Sequence, residues 1–572
     1  RKSGLEKVLG VNASPNSMDE LLATDVILAI GFKPENNPIL GIKLKKAAKN
    51  GAKLLFINPS EYKISNYGFD AKTVYTSNEI SKIKEIAKEP HSIYDEDSLA
   101  EVRNYIIQEL NTLGLDTNVF TYENVEDRNG KIVDINNIYT KIDGKNGEDG
   151  KYILLASHYD SSPKKRDGEE AGSLGAADAG YGVSTILEIL RVIKEQDKPL
   201  ENGIKILITD GEEMGLLGAK QEMNNNFSLY ENVEYVVNIE ARGVKGPALM
   251  FETSSNNKKV IDIYKKANLP VSYSLAADVY SKMPNGSDFS EFKKMGLQGI
   301  NFAVLNSLDY YHTPRDNYEN VSDTSLQHYG EQILPIVEEF VYNAEYGEEG
   351  ALKSNEDSIF FTLLPNIFIN YSSTLAFIFM MIIIIATIIV FRKFNISLKN
   401  IIRSTGVWLL LGIMNLLCGI LVSYLISLVS RIPFKLTYMP KVPGDDIILG
   451  TFLILSAILS TIVIRKTLKN RESIIVGAIG FNLVFLVITM FALKGASYLF
   501  LWPTVFSLVT FALLKKGVNK FIALIPVAFT IIIFVPVIWN IYIALTIGAL
   551  GVVLLLAIIA LTTIIAFINY IK

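Results

Sequence analysis

Cysteine is nearly absent: one residue, Cys418, in a chain of 572, and it lies inside an apolar run. No intrachain disulfide can form, which excludes a disulfide-stapled scaffold and a cysteine-ligated zinc site. Histidine is almost as scarce, with four in the whole chain, so each can be weighed by its neighbours. Acidic residues thin out after residue 360, where only Asp445, Asp446 and Glu472 remain. No basic stripe interleaved with aromatics occurs in the charged part of the chain, so no nucleic-acid partner is expected.

What is present divides into unlike parts. Lys and Arg total 55 against 59 Asp and Glu, a formal net charge of −4. That near-balance conceals an acidic half of mixed composition, up to about residue 357, joined to a basic and strongly apolar half. A chain of this length is expected to hold two or three units, and three are read here: 1–80, 85–345 and 365–572.

The last region carries about seven apolar segments, near 372–391, 406–429, 447–464, 474–493, 496–514, 521–538 and 541–569. Each is long enough to cross roughly 30 Å of hydrocarbon, and the last can tilt or break into two. Arg392, Lys393, Lys399 and Arg403 follow the first segment; Arg465, Lys466, Lys469 and Arg471 follow the third; Lys515, Lys516 and Lys520 follow the fifth. Basic gaps face the cytoplasm, so residues before the first segment are expected outside it. The three acids fall in gaps and no ionisable residue stands mid-segment, which argues against an ion-coupled transporter. The expectation is a multi-pass protein of the plasma membrane, with the lipid bilayer as a partner and region 85–345 extracytoplasmic. The chain opens on Arg1 with no signal peptide ahead of it, so an upstream helix is expected to be missing.

Region 85–345 alternates strand and helix patterns. Strands are read at 152–156, 204–209, 233–239, 249–251 and 299–304; most are short unbroken apolar runs, which fits a sheet covered on both faces. Helical spacing occurs at 99–113, 183–195, 258–267 and 289–294. The predicted fold is α/β, a mixed and mostly parallel sheet flanked by helices, followed by an α-helical membrane domain. Region 1–80 holds a short βαβ pattern, with strands at 25–31 and 52–58 and a helix at 39–50 between them.

Carboxylates and imidazoles cluster at the ends of these predicted strands. Ala156-Ser157-His158-Tyr159-Asp160 pairs an imidazole with an acid that can fix its tautomer. Gly175-Ala176-Ala177-Asp178-Ala179-Gly180 sets an acid among small residues, where it could bridge two metals or cap the next helix. Thr209-Asp210-Gly211-Glu212-Glu213-Met214-Gly215 places two acids side by side, an arrangement that suits one metal ligand and one general base. Asn238-Ile239-Glu240-Ala241-Arg242-Gly243 adds an acid at a strand end. Asp309-Tyr310-Tyr311-His312-Thr313-Pro314-Arg315-Asp316 supplies the second well-placed imidazole, whereas His91 and His328 lack such company. Oxygen and nitrogen donors without thiolates fit zinc.

In this order the five motifs, spread over about 260 residues, resemble the M28 family of metallopeptidases. The resemblance implies two zinc ions, with His158, Glu213, Glu240 and His312 as terminal ligands and Asp178 bridging. It also implies that Asp160 orients His158, that Glu212 is the general base, and that Tyr311 hydrogen-bonds the developing oxyanion. Asp288, in Asn285-Gly286-Ser287-Asp288-Phe289, falls in another family-like segment and is read as a substrate contact. Ala179 stands where the family commonly has Asn, which removes a support but no ligand. The implied function is a membrane-anchored metallopeptidase acting on peptides or proteins and releasing N-terminal amino acids. The alternatives are a non-catalytic peptidase-like scaffold or transporter, and a glutaminyl cyclase-like acyltransferase. Residues 10–60 resemble a segment of molybdopterin oxidoreductases, through Asn16-Ser17-Met18-Asp19-Glu20 and Asn37-Pro38-Ile39-Leu40-Gly41. Asn58-Pro59-Ser60 departs from that family's Asp-Pro-Arg, and so short a piece cannot enclose the cofactor; no function is expected of it.

Overall fold

The computed structural model describes residues 43–44, 46–47, 50, 26–30, 52–58, 72–75 and 78–571, apart from 166, 167, 284, 437 and 438. The chain divides into two compact units, Arg1–Lys82 and Ile83–Lys572.

In the first unit three strands, β1 (Val26–Ile30), β2 (Lys53–Asn58) and β3 (Lys72–Tyr75), pair in parallel in that order. The first two fall where the apolar runs predicted them. Of the predicted helix 39–50, residues 43–44 and 46–47 are helical, and 39–42 lie outside the described residues. So do the motifs 16–20 and 37–41.

The second unit contains a seven-stranded mixed sheet. Its strands are β4 (Asn118–Glu126), β5 (Ile132–Ile142), β6 (Tyr152–His158), β7 (Gly203–Thr209), β8 (Val233–Ile239), β9 (Leu249–Thr253) and β10 (Gly299–Ala303), in the spatial order β4-β5-β7-β6-β8-β10-β9. The four central strands, β7, β6, β8 and β10, run parallel, and antiparallel strands flank them on both sides. Every residue of β6, β7, β8 and β10 is buried, as expected of strands covered on both faces. The covering helices include α1 (Glu96–Thr112), α2 (Gly180–Gln196), α3 (Leu217–Asn225), α4 (Lys258–Tyr264), α5 (Ser274–Tyr280), α6 (Asp288–Lys294) and α7 (Asp323–Tyr342).

A hairpin of β11 (Ser358–Leu364) and β12 (Ile367–Ser372) leads into the membrane helices. These are α8 (Ser373–Lys393), α9 (Leu398–Ser430), α10 (Asp445–Thr467), α11 (Arg471–Ala492), α12 (Tyr498–Lys515), α13 (Leu524–Leu545) and α14 (Leu550–Ile571). Among the described residues six continuous apolar stretches are long enough to cross a membrane, and the last, Lys520–Ile568, spans 49 residues. That stretch turns at Thr546, where φ is 57° and ψ −160°, and its two halves, α13 and α14, pack along each other. The break lies a few residues beyond the 538–541 gap read from the sequence. Together these helices make the chain a multi-pass membrane protein.

The basic gaps share one face. The Arg403 guanidinium donates to the Thr467 carbonyl at 3.2 Å, and Lys515 pairs with Glu472. The other face carries the sheet domain. The Gly495 N–H donates to Asp278 Oδ2 at 2.6 Å, and the Ser274 hydroxyl donates to the Gly495 carbonyl at 2.8 Å. A Cβ at Gly495 would lie 2.3 Å from the Ser274 oxygen, so this close approach requires glycine. The Phe361 and Tyr498 rings stack beside it at 4.5 Å. One apolar core runs through the joint, from Leu249, Tyr273 and Phe361 into the helices.

Candidate metal centre

Parallel strands with covering helices deliver their loops at one sheet edge, and the chemistry collects there. β6 closes on His158, which lies in register with Thr209 at the end of β7. Beyond Thr209 the chain turns through Gly211, at φ +67°, into Glu212 and Glu213. Glu240 follows β8 directly, and a short 3-10 turn after β10 brings in Tyr311 and His312. Asp178 precedes α2, which packs so tightly on β6 that a Cβ on Gly182 would fall 2.1 Å from Ser157 Oγ.

Five of the predicted ligands meet in this space. His158 Nε2 lies 3.2 Å from Asp178 Oδ1 and 3.5 Å from Glu240 Oε2. His312 Nε2 lies 3.4 Å from Asp178 Oδ2 and 2.8 Å from Glu213 Oε1. The result is two three-donor groups, His158–Asp178–Glu240 and Asp178–Glu213–His312, each able to hold a metal ion. Asp178 turns one oxygen toward each.

Neighbouring residues aim these donors. The His158 Nδ1–H donates to the Asp160 carbonyl at 3.0 Å, which leaves the Nε2 lone pair for the centre. The Asp160 carboxylate accepts the Glu212 N–H at 3.0 Å and the Glu213 N–H at 3.2 Å, so it braces the paired acids as well as lying near the histidine. Two further residues emerged only from the structure. Asn238 Nδ2 donates to Glu240 Oε1 at 2.9 Å, leaving Oε2 toward His158. Asp316, fully buried, accepts the N–H groups of Ala177 at 2.7 Å and Asp178 at 3.2 Å. Both stand within the motif runs; their proximity to a ligand was the available signal.

Electrostatics tests whether the residues fit a cation. Burial, with His312 acting against it and Asp178 with it, pushes the Glu213 carboxyl up to about 7. Burial, then Glu240, holds Glu212 well above the usual carboxylate range. At His312 burial acts downward, yet Glu213 and Asp178 outweigh it and bring the imidazole to about 9. Asp178 goes the other way: despite its burial, His158 and His312 hold it well below the usual carboxylate range, so the paired acids Glu212 and Glu213 are the ones left short of positive partners. Glu213 Oε1 and His312 Nε2 are buried facing each other at 2.8 Å, at an angle that makes no well-formed hydrogen bond. Harder oxygen and nitrogen donors in this state fit zinc.

The centre opens into a cavity of about 580 Å³, lined among others by Asp178, Glu212, Glu240, Tyr311 and His312. Tyr311 stacks on the His312 ring, with centroids 3.7 Å apart. Asp288 is placed differently from the expected substrate contact. Its carboxyl is fully buried and accepts the Thr209 hydroxyl, while Asn285, Gly286 and Ser287 ahead of it line the cavity. Burial, then Glu240, pushes it up to about 7. His91 and His328 are held by main-chain groups: His91 by the Glu89 carbonyl, His328 by Ala248 N–H and the Leu269 carbonyl.

Residues 137–337 match the model of peptidase family M28. This segment is an M28 peptidase domain. The match contains every residue of the two donor groups. Over 309 residues the chain is 27% identical to the vacuolar membrane protease of Lodderomyces elongisporus, covering 51% of this chain and 31% of that protein. Over 310 residues it is 24% identical to endoplasmic reticulum metallopeptidase 1 of Rattus norvegicus, covering 52% and 33%. The alignment thus takes up about a third of the length of these relatives. Their names give a plasma-membrane location no support. Among solved structures, the glutaminyl cyclase of Porphyromonas gingivalis covers 46% of this chain and 97% of its own, at 20% identity and a TM-score of 0.37. A zinc-dependent exopeptidase from Parabacteroides distasonis has the same coverage of both chains, the same identity and the same TM-score.

Proposed function

We propose that the chain is a membrane-anchored di-zinc metallopeptidase that releases N-terminal amino acids from peptides, with its M28 domain on the non-cytoplasmic side. The observation that carries this reading is the pair of donor groups sharing Asp178, with an additional acid, Glu212, lining the same cavity but belonging to neither group. His158, Glu240 and Asp178 would hold one zinc, and Glu213, His312 and Asp178 the other. Zinc bound there acidifies water and polarises the scissile carbonyl.

The side chains divide the remaining work. Glu212, its main chain pinned by Asp160, accepts the proton of the attacking water as the new carbon–oxygen bond forms. It returns that proton to the amine nitrogen as the carbon–nitrogen bond breaks. Tyr311 donates its hydroxyl hydrogen to the developing oxyanion. The orientation follows from the shared face of the three basic gaps, opposite the Gly495 joint.

The test is metal content together with hydrolysis of an aminoacyl-arylamide panel by the purified chain, with and without chelator. About two zincs per chain and chelator-sensitive release of the arylamine are expected. Zinc without turnover, or ring closure of an N-terminal glutamine peptide in place of hydrolysis, overturns the aminopeptidase assignment.

A further inference from the structure

The cavity at the metal centre is not walled by the M28 domain alone. Val537, Ile541, Ala544 and Leu545 of α13 and Val552 of α14 form part of its lining. Val537 lies eight residues before Leu545, about 12 Å along a helix at 1.5 Å per residue. The wall therefore descends below the helix end, to the level of the apolar bundle. From the domain side Phe251 and Leu275 continue the same apolar surface, Asn540 is the one polar side chain α13 adds to the lining, and charge is confined to Asp178, Glu212, Glu240, Arg242 and His312. One end of a single space is thus reactive and the other is greasy.

Hydrogen bonds tie the two sides of this composite wall together. α5, which supplies Leu275, is fastened to the bundle by the paired hydrogen bonds between Gly495 and Asp278 and Ser274. The acids and the apolar wall line one continuous cavity, so a ligand filling the apolar end can present a bond to the acids at the other. A large apolar side chain leaving water for such a lining gains about 10- to 100-fold in affinity, whereas a charged one loses its hydration without a partner.

We infer that α13 and α14 complete the substrate cleft, and that the substrate is a peptide whose residues next to the reacting bond are large and apolar. This rests on the peptidase reading above. The membrane helices then act as part of the specificity pocket and not only as an anchor.

The experiment uses the full zinc-loaded chain in lipid nanodiscs and two peptides that differ only in carrying leucine and phenylalanine, or serine, in the first three positions. Ile541→Asp and Ala544→Trp alter the wall in different ways, and Val535→Ala, on the exposed side of α13, is the control. In both wall variants kcat/KM for the apolar peptide should fall at least tenfold through KM, while the ratio of apolar to serine peptide collapses. Calorimetric binding of the apolar peptide to Glu212→Gln chains should weaken by a similar factor, with zinc content unchanged. An unchanged ratio in both variants overturns the inference, and so does failure of the Glu212→Gln chain to bind the apolar peptide. Binding that is weakened by Ile541→Asp in a chain that never hydrolyses either peptide sinks the peptidase reading and leaves the composite pocket standing.

Discussion

The edge of the sheet and the membrane bundle both bury polar atoms, but by opposite means. At the sheet edge His158, Asp178, Glu213, Glu240 and His312 turn ionisable groups on one another across 2.8–3.5 Å. In the helices most buried polar groups are small hydroxyls, and several of these are answered by backbone carbonyls: Thr387 bonds to Ile383 at 2.8 Å and Ser423 to Gly419 at 3.0 Å. The helices associate by close approach, since a Cβ on Gly419 would lie 2.5 Å from Gly551 Cα. A concentration of like charge is unfavourable unless a cation answers it, and hydrocarbon offers none. The first arrangement therefore signals a ligand, and the second signals only packing.

The sharpest way to break this contrast is at the acid outside both donor groups. Glu212→Gln should retain zinc, measured by atomic emission, and lose about 1000-fold in kcat, within the range general bases contribute. Activity above a few per cent of wild type would remove Glu212 from its assigned role. Next in size, Asp178→Asn weakens both groups at once, so bound zinc should drop from about two per chain to less than one. Loss of only one ion would show that Asp178 does not serve both. On the bundle side Gly419→Leu should destabilise the purified chain by about 1–3 kcal/mol through overpacking, read as a lower unfolding temperature, while leaving zinc stoichiometry intact.

The smallest effect concerns a buried charge in the M28 domain away from the metal centre. Lys205 on β7 donates to Asn232 Oδ1 and to the Leu229 carbonyl and lies 4.2 Å from the Tyr152 ring centroid. Burial pushes its ammonium down to about 8, against an unfolded value of 10.5. Between those values the unfolded chain binds more protons, so stability should rise with pH across that window and level off above it. Thermal unfolding from pH 7.5 to 10.5 should show this rise, and Lys205→Met should flatten it.

Legibility followed the same division. Short, mostly apolar runs announced β6, β7, β8 and β10, because a strand buried on both faces has no consistently polar side to show, even where a single Lys205, Glu234 or Asn301 interrupts it. β5 did not announce itself: its burial alternates, and Asp134, Asn136 and Asn137 interrupt the apolar residues. The helix Asp323–Tyr342 went unread, with Gly330 and Pro335 inside it, although Leu326, Tyr329, Ile333, Ile336, Val337 and Phe340 form its buried face. The turn at Thr546 lies within an apolar stretch whose composition changes little across it.

Sequence alone determined the residue types of the centre, their order, and the membrane character of the second half, because motif chemistry and hydropathy are local properties. Only the tertiary structure decided that Asp178 turns one oxygen to each donor group, that Asp160 braces the Glu212–Glu213 turn, and that Asp288 lies buried behind the cleft. It also decided that α13 and α14 wall the cavity. These are relations between side chains tens to hundreds of residues apart, set by the sheet order and by the Gly495 joint, and no local pattern encodes a distance of that kind.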